Sequence, residues 1–87
     1  MEKTYKTILA DSLFIDLEAI PAKCLTKILD KIELLETFPK LGFALEKEKW
    51  IGYREFIVDP YKVLYTVEED KKTVTIHFAK HGKMDFQ

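Results

Sequence analysis

The sequence is poor in several features that would by themselves indicate a class of protein. It has a single cysteine, Cys24, among 87 residues, which excludes an internal disulfide and fits a reducing compartment. No apolar run approaches the roughly 20 residues of a membrane span, and the first residues lack the apolar segment of a signal peptide. We therefore expect one cytoplasmic domain over residues 1–87 that does not associate with a membrane.

An excess of positive charge is also missing. The formal net charge is −1 and the isoelectric point is about 6.1, whereas a free-standing nucleic-acid binder is usually basic. Any positive site must therefore come from local clustering in the folded chain. The sequence has no glycine-rich phosphate loop and no zinc-ligand spacing, so we expect no cofactor, no metal and no small-molecule ligand.

The first half of the chain has the pattern of one strand and two helices. Thr4–Leu9 alternates like a strand. The spacing of apolar residues then predicts a short helix over Ser12–Ala19, and Pro21 suits the first turn of a second helix. Phe38, which precedes a proline, ends that helix. The second helix carries one apolar stripe, formed by Leu25, Ile28, Leu29, Ile32 and Leu35.

The second half reads as three strands that follow one another. These are Tyr53–Val58, Tyr61–Val67 and Thr73–Ala79, separated by the turn at Asp59 and by a polar hairpin loop. Strict alternation predicts that one face packs on the helices, namely Val63, Tyr65, Val67, Val74, Ile76 and Phe78. It predicts that the other face is free for a partner, namely Lys62, Leu64, Thr66, Thr75, His77 and Ala79.

Several short motifs, in this order and spacing, resemble the RelE/ParE superfamily of bacterial toxins. In the first half they are Asp16-Leu17, Ile20-Pro21, the lysine- and isoleucine-rich helix and Phe38-Pro39, which look like the RelE side. In the second half they are Leu41-Gly42, Gly52-Tyr53-Arg54, Tyr61-x-Val63-x-Tyr65, Val74-x-Ile76 and an ending that looks more like the ParE side, His81-Gly82-Lys83-Met84-Asp85. The resemblance covers nearly the whole chain.

This resemblance implies an α+β fold with an N-terminal β-strand, a helical hairpin and a three-stranded antiparallel sheet. It implies the toxin component of a type II toxin–antitoxin, or plasmid-stabilisation, module. The partner would be a cognate antitoxin. Two targets are open, since RelE-like members cut messenger RNA on the ribosome and ParE-like members poison DNA gyrase.

The RelE-like alternative would be a metal-independent endoribonuclease. Such cleavage needs a base, an acid and a cation that stabilises the charged phosphorane. By resemblance, the residues that would carry it are Arg54, Lys62, His81 and Lys83. An arginine could bind a phosphate bidentately, whereas a lysine acts as a point charge. We expect Arg54 and His81 to lie on or near the accessible face of the sheet.

Two residues depart from the nuclease pattern. Phe56 stands where RelE-like enzymes tend to have a lysine, and Phe86 where they tend to have a tyrosine. The sequence therefore favours a ParE-like gyrase inhibitor, with the ribosome-dependent nuclease as the alternative. A third interpretation is a binding module or decayed toxin without activity.

Other conspicuous residues have ordinary explanations. Cys24 has no evident base nearby, so we interpret it as a structural thiol. His77 and His81 lie about 13 Å apart along an extended strand, too far to share a metal. We expect Trp50 to anchor a loop at the edge of the core. Lys23, Lys27 and Lys31 form a stripe that is solvated or that an acidic antitoxin could use.

Overall fold

One five-stranded sheet with two helices makes up the part of the chain that our computed structural model describes, residues 4–82. The sheet order is β1-β5-β4-β3-β2; β1 runs parallel to β5, and the other neighbours are antiparallel. Neither helix in this range is long and apolar enough to cross a membrane. The elements are β1 (Lys6–Leu9), α1 (Asp11–Glu18), α2 (Ala22–Leu35), β2 (Phe43–Ala44), a 3₁₀ turn (Glu48–Trp50), β3 (Tyr53–Val58), β4 (Tyr61–Glu68) and β5 (Thr73–His81).

The α+β fold predicted from the sequence is confirmed. The three consecutive antiparallel strands are β3, β4 and β5, and the first strand joins them along β5. The short strand β2 was not expected, because residues 43–51 look like a charged connection. It pairs with β3 at only two positions, Phe43 with Glu55 and Ala44 with Arg54.

The core lies between the two helices and one face of the sheet. From the helices it takes Leu13, Ile28, Ile32 and Leu35, from the connection between them Ile20, and from the sheet Phe56, Val58, Val63, Tyr65, Val74, Ile76 and Ala79. Leu29 does not belong to it, because this side chain is 44% exposed. Its assignment to the buried stripe is therefore wrong. Leu25, Ile28, Ile32 and Leu35 share the face of α2 that meets the sheet, and Leu29 lies beside that face.

A β-bulge in β5 changes which side chains reach the core. Leu64 is opposite Phe78, but Tyr65 is opposite Ile76, so His77 is an extra residue in β5. A bulge shifts the alternation of every residue beyond it. Phe78 therefore lies on the face turned away from the helices, which we call the outer face, and Ala79 lies in the core. The predictions for these two residues, made from strict alternation, are wrong.

Aromatic side chains cover part of the outer face. The ring of Trp50 meets the rings of Tyr53 and Phe78 edge-on, at centroid distances of 5.2 Å and 6.2 Å. Leu64 projects on the same face and is fully buried. Trp50 is therefore not an anchor at the edge of the helix-side core; it anchors its loop to a second, smaller apolar cluster on the outer face. This part of the outer face is not free for a partner.

Helix α1 closes the edge of the sheet that β1 leaves open. β1 pairs with β5 only as far as Ile76, so the last residues of β5 would present unpaired backbone groups. Ser12 Oγ donates to the carbonyl of His77 at 2.7 Å, and Asp16 Oδ2 accepts from the amide of Ala79 at 3.0 Å. Asp16 Oδ1 also lies 2.7 Å from Lys80 Nζ. Side chains of α1 thus form the hydrogen bonds that a neighbouring strand would otherwise make with the end of β5.

Candidate functional site

Arg54 lies on the helix side of the sheet, not on the accessible outer face. It is opposite Tyr65 in the β3–β4 register, and alternation places it on the same side as Phe56. Its Nη2 donates to the carbonyls of Lys40 at 3.0 Å and Gly42 at 2.6 Å. The expectation that Arg54 is on or near the accessible face is wrong, and its guanidinium fastens the loop that leads into β2.

The loop at Gly42 approaches the sheet so closely that it needs glycine. A Cβ at this position would lie 2.5 Å from the carbonyl oxygen of Glu55 and 2.9 Å from the hydroxyl of Tyr65. The Gly42 amide donates to that buried hydroxyl at 2.8 Å. Arg54, Tyr65 and Gly42 therefore form one structural clamp, and the sequence motifs that contain them are explained by this packing.

Lys62 lies on the outer face, directly opposite Lys80 in β5 and Ile57 in β3. Like charges placed opposite each other in a sheet repel. The Lys80 ammonium is held by Asp16 and passes over the ring of Phe78, 5.9 Å from its centroid. This lysine pair is the positive feature of the outer face, and sequence reasoning identified only Lys62.

His81 is at the end of β5, opposite Tyr61, and its ring meets the Tyr61 ring edge-on at a centroid distance of 5.6 Å. The amide of Gly82 donates to the carbonyl of Pro60 and fixes the end of the strand. The register puts His81 on the helix side of the sheet, opposite to the side of Lys62. Lys83 and Phe86 lie outside the described residues.

The three described candidates do not converge. Arg54 and His81 project to the helix side, but their neighbours on β4, Tyr65 and Tyr61, are four residues apart, a separation of about 13 Å along a strand. Lys62 projects to the other side. The sheet therefore does not gather these groups around one phosphate, and their catalytic role stays a prediction.

His77, Thr66 and Tyr53 form a cluster on the outer face, which we call the histidine cluster. The sequence analysis gave it no functional role. His77 Nε2 lies 2.9 Å from Thr66 Oγ1, and the rings of His77 and Tyr53 are 5.2 Å apart at their centroids. The β-bulge puts His77 next to Phe78 on this face. Burial lowers the pKa of His77 below its usual value. No charged partner of this ring is seen within residues 4–82, so the cluster favours neutral histidine.

Stability should therefore fall as the solution becomes acidic. Because the pKa of His77 is lowered in the folded state, the unfolded chain takes up the proton first. The stabilisation is present above about pH 6.5, the ordinary value for histidine, and is lost as the pH falls through that range. We expect His77→Gln to show a smaller drop in urea midpoint between pH 7.5 and pH 5.5 than the parent protein. An unchanged drop in His77→Gln would contradict this assignment.

A groove runs between α2 and the end of β3. Its volume is about 650 Å³, and we call it the basic groove because three of its lining residues are the lysines of the α2 stripe. The lining consists of Lys23, Cys24, Lys27, Asp30, Lys31, Leu34, Ile57, Val58 and Asp59. Cys24 is half-buried in its wall. The lysine stripe, noted in the sequence as solvated or partner-binding, thus borders a concave surface.

The described part of the chain offers no set of side chains that could bind a metal ion. Residues 4–82 contain no group of three or more histidine, cysteine, aspartate or glutamate side chains placed to hold an ion. Besides the basic groove, the lysine pair and the histidine cluster, the described residues form a second concave surface of about 660 Å³, lined in part by Lys40, Arg54 and Glu69.

Comparison with known structures supports the fold. The RelBE2 toxin–antitoxin complex of Mycobacterium tuberculosis contains a chain with a TM-score of 0.80 and 22% identity, covering 90% of this chain and 98% of that one. A chain of the RelE–RelB complex of Pyrococcus horikoshii gives 0.79 and 20%, covering 94% and 99%. The YoeB/ParE toxin of Agrobacterium tumefaciens gives 0.71 and 20%, covering 87% and 96%.

Sequence comparison supplies the family. No curated protein sequence matches the chain. The profile of the family described as "ParE toxin of type II toxin-antitoxin system, parDE" matches residues 8–86, which is nearly the whole chain. The resemblance seen in the motifs is confirmed, and the chain belongs to the ParE toxin family of type II toxin–antitoxin systems, within the RelE/ParE superfamily.

Proposed function

We propose that this toxin arrests bacterial growth by inhibiting DNA gyrase in the cytoplasm, does not cut messenger RNA, and is neutralised by a cognate antitoxin. One observation carries the choice of target. Of the groups that a RelE-like nuclease would use, the three within the described residues, Arg54, Lys62 and His81, are divided between the two faces of the sheet. A transition state is stabilised only by groups that reach the same reacting atoms.

The environment of Arg54 supports this choice. Both carbonyls that it binds belong to the chain's own loop, so the guanidinium is engaged before any substrate arrives. Phe56, at the position where a nuclease lysine was expected, is 3% exposed and belongs to the core. A lysine there could not reach the outer face. The family profile, a ParE profile, points the same way.

One observation favours the RelE-like alternative. Lys62 and Lys80 form a positive pair on the outer face, and two ammonium groups could bind a phosphate. One of the two, however, is already neutralised by Asp16 at 2.7 Å. The pair supplies charge but no general base, so it favours RNA contact over RNA cleavage.

The antitoxin proposal is supported by the structural relatives. The Mycobacterium tuberculosis and Pyrococcus horikoshii chains come from complexes of a toxin with its antitoxin. By analogy, this chain binds a neutralising protein, encoded in a neighbouring gene.

Two assays on the purified toxin decide the target. We expect inhibition of supercoiling by gyrase, and no cuts when primer extension is run on ribosomes programmed with a defined message. Lys62→Ala and His81→Ala should leave the supercoiling result unchanged. Arg54→Ala is a poor probe, because it also releases the loop at Lys40 and Gly42.

The opposite pattern identifies the nuclease. Cuts in the ribosomal A site, slowed by about 10²-fold or more in His81→Ala or Lys62→Ala, would overturn the gyrase proposal. Phe86→Tyr provides a second test, since a restored hydroxyl should raise the rate of messenger RNA cleavage but should not change the inhibition of gyrase. Absence of both activities would indicate a decayed toxin that has kept only its binding surface.

A further inference from the structure

We propose that a concave surface where β1 and β5 begin binds a compact phosphate anion, either inorganic phosphate or a small phosphate monoester. Its volume is about 390 Å³, and we call it the lysine pocket because three of its lining residues are lysines. The lining consists of Thr4, Tyr5, Lys6, Glu36, Lys71, Lys72 and Thr73. None of these residues lines the basic groove or belongs to the candidate nuclease groups, so the proposal goes beyond the proposed function.

The walls of the lysine pocket come from three segments that backbone hydrogen bonds hold together. The amides of Thr4 and Tyr5 donate to the carbonyl of Glu36, at the end of α2, at 3.1 Å and 3.0 Å. The amide of Lys6 donates to the carbonyl of Lys72, in the hairpin between β4 and β5, at 2.9 Å. The framework is therefore formed before a ligand arrives, which lowers the entropic cost of binding.

The charge of the lysine pocket is positive, although the whole chain has a net charge of −1. Three lysines and one carboxylate, that of Glu36, line it, and three positive charges less one negative charge leave +2. Lys71 lies 3.5 Å from a carboxylate oxygen of Glu68. Lys6 and Lys72 form no ion pair with any residue of the described range 4–82. These two ammonium groups are therefore available to an anion.

The backbone of Lys72 indicates that a lysine is kept at this position for its charge. Its φ is 51°, and among residues 4–82 it is the one non-glycine residue with a positive φ. This left-handed conformation is unfavourable for a residue with a Cβ and easy for glycine. Residues held in such conformations concentrate at binding sites. The Lys72 ammonium lies 5.2 Å from the centroid of the Tyr5 ring, which keeps it at the pocket.

The residues around the pocket favour a compact dianion over a nucleic-acid backbone. A phosphate monoester places close to two negative charges on one group near neutral pH, whereas a backbone phosphate carries one. The hairpin also has three consecutive carboxylates, those of Glu68, Glu69 and Asp70, directly before Lys71. A polynucleotide bound at the lysines would bring its next phosphates near these carboxylates and be repelled. The sequence did not predict such a ligand, because it contains no phosphate-binding motif.

The experiment follows the backbone amides of the full chain by nuclear magnetic resonance in a phosphate-free buffer of constant ionic strength. The probes are inorganic phosphate, AMP and dimethyl phosphate, which is a singly charged diester. We expect saturable shifts at Lys6, Lys72 and Thr73 with a Kd of about 1 mM, and binding of dimethyl phosphate about tenfold weaker or less. Tighter binding of AMP than of phosphate would identify a nucleotide, and equal binding would show that the phosphate group alone is recognised.

Binding should also stabilise the fold. A ligand that binds only the native state at ten times its Kd lowers the equilibrium constant of unfolding about elevenfold. Urea unfolding with and without inorganic phosphate, with sodium chloride matching the ionic strength, measures this change.

Three variants separate the site from general effects of charge. Lys72→Gly removes one ammonium and supplies the residue best suited to a φ of 51°, so the fold should be retained while the affinity for phosphate falls about tenfold or more. Lys6→Gln should weaken binding similarly without changing the turn. Lys49→Gln, at an exposed lysine of the 3₁₀ turn outside the pocket, should keep the parent's affinity.

Several results would overturn the proposal. They are no saturable shift at Lys6, Lys72 and Thr73, equal affinity of the parent, Lys72→Gly and Lys6→Gln for phosphate, equal affinity for dimethyl phosphate, and tighter binding of a single-stranded oligonucleotide at the same amides. None of these outcomes depends on gyrase, the ribosome or the antitoxin. Failure of the lysine pocket and failure of the proposed function are therefore distinguishable.

Discussion

Replacing Ile32 with alanine should destabilise the domain by about 2–5 kcal/mol. Ile32 is 5% exposed and sits on the face of α2 that packs against the sheet. The substitution removes methylene groups from a site that cannot collapse completely, since the strands beneath it are held by their own hydrogen bonds. A small domain has a total stability of about 5–15 kcal/mol, so the loss is a large share of it.

Leu29→Ala is the matched control for this prediction. It deletes a side chain of similar size from the same helix, but Leu29 is largely outside the core. We expect a cost of about 0.5 kcal/mol or less, as for other surface substitutions. Urea unfolding of the two variants measures the difference. Equal losses would show that the sequence stripe, and not the observed packing, describes the buried face of α2.

The same contrast shows what periodicity could and could not predict. The positions of both helices and of β3, β4 and β5 follow from the spacing of apolar residues, because each element buries one face. The bulge at His77 left no signal in the sequence, since a bulge is set by how two strands pair. One extra residue exchanged the roles of Phe78 and Ala79 and produced the outer aromatic cluster around Trp50.

The candidate site was harder to predict than the fold. The sequence suggests that Arg54 is an accessible cation on a strand. Side chains two residues apart on a strand share a face, however, so Arg54 lies with Phe56 on the helix side of the sheet. Which carbonyls it meets depends on the path of the loop at Gly42, which no local pattern determines. The basic groove likewise needs two elements far apart in sequence, α2 and the end of β3. Its lysine stripe was visible in the sequence, whereas the approach of the end of β3 to α2 was not.

Asp16→Ala should cost about 3 kcal/mol, because this one carboxylate completes the edge of the sheet. The side chain of Asp16 is 7% exposed; it accepts from the amide of Ala79 at 3.0 Å and binds Lys80 at 2.7 Å. Its removal leaves a buried backbone donor unsatisfied, which costs about 1–3 kcal/mol. The loss of the ion pair adds less than for a fully buried pair, since 34% of the Lys80 side chain is exposed and solvent screens its charge.

Asp16→Asn separates these two contributions. The amide oxygen can still accept from Ala79, while the charge that holds Lys80 is gone, so we expect a loss of about 1 kcal/mol, smaller than that of Asp16→Ala. Hydrogen exchange gives an independent readout. The amide of Ala79 should exchange faster in Asp16→Ala than in Asp16→Asn, while that of Ile76, whose strand is still covered by β1, should follow global unfolding in both. If both variants lost equal stability and Ala79 stayed protected, the ion pair alone would be the stabilising contact, and α1 would not be acting as the missing strand.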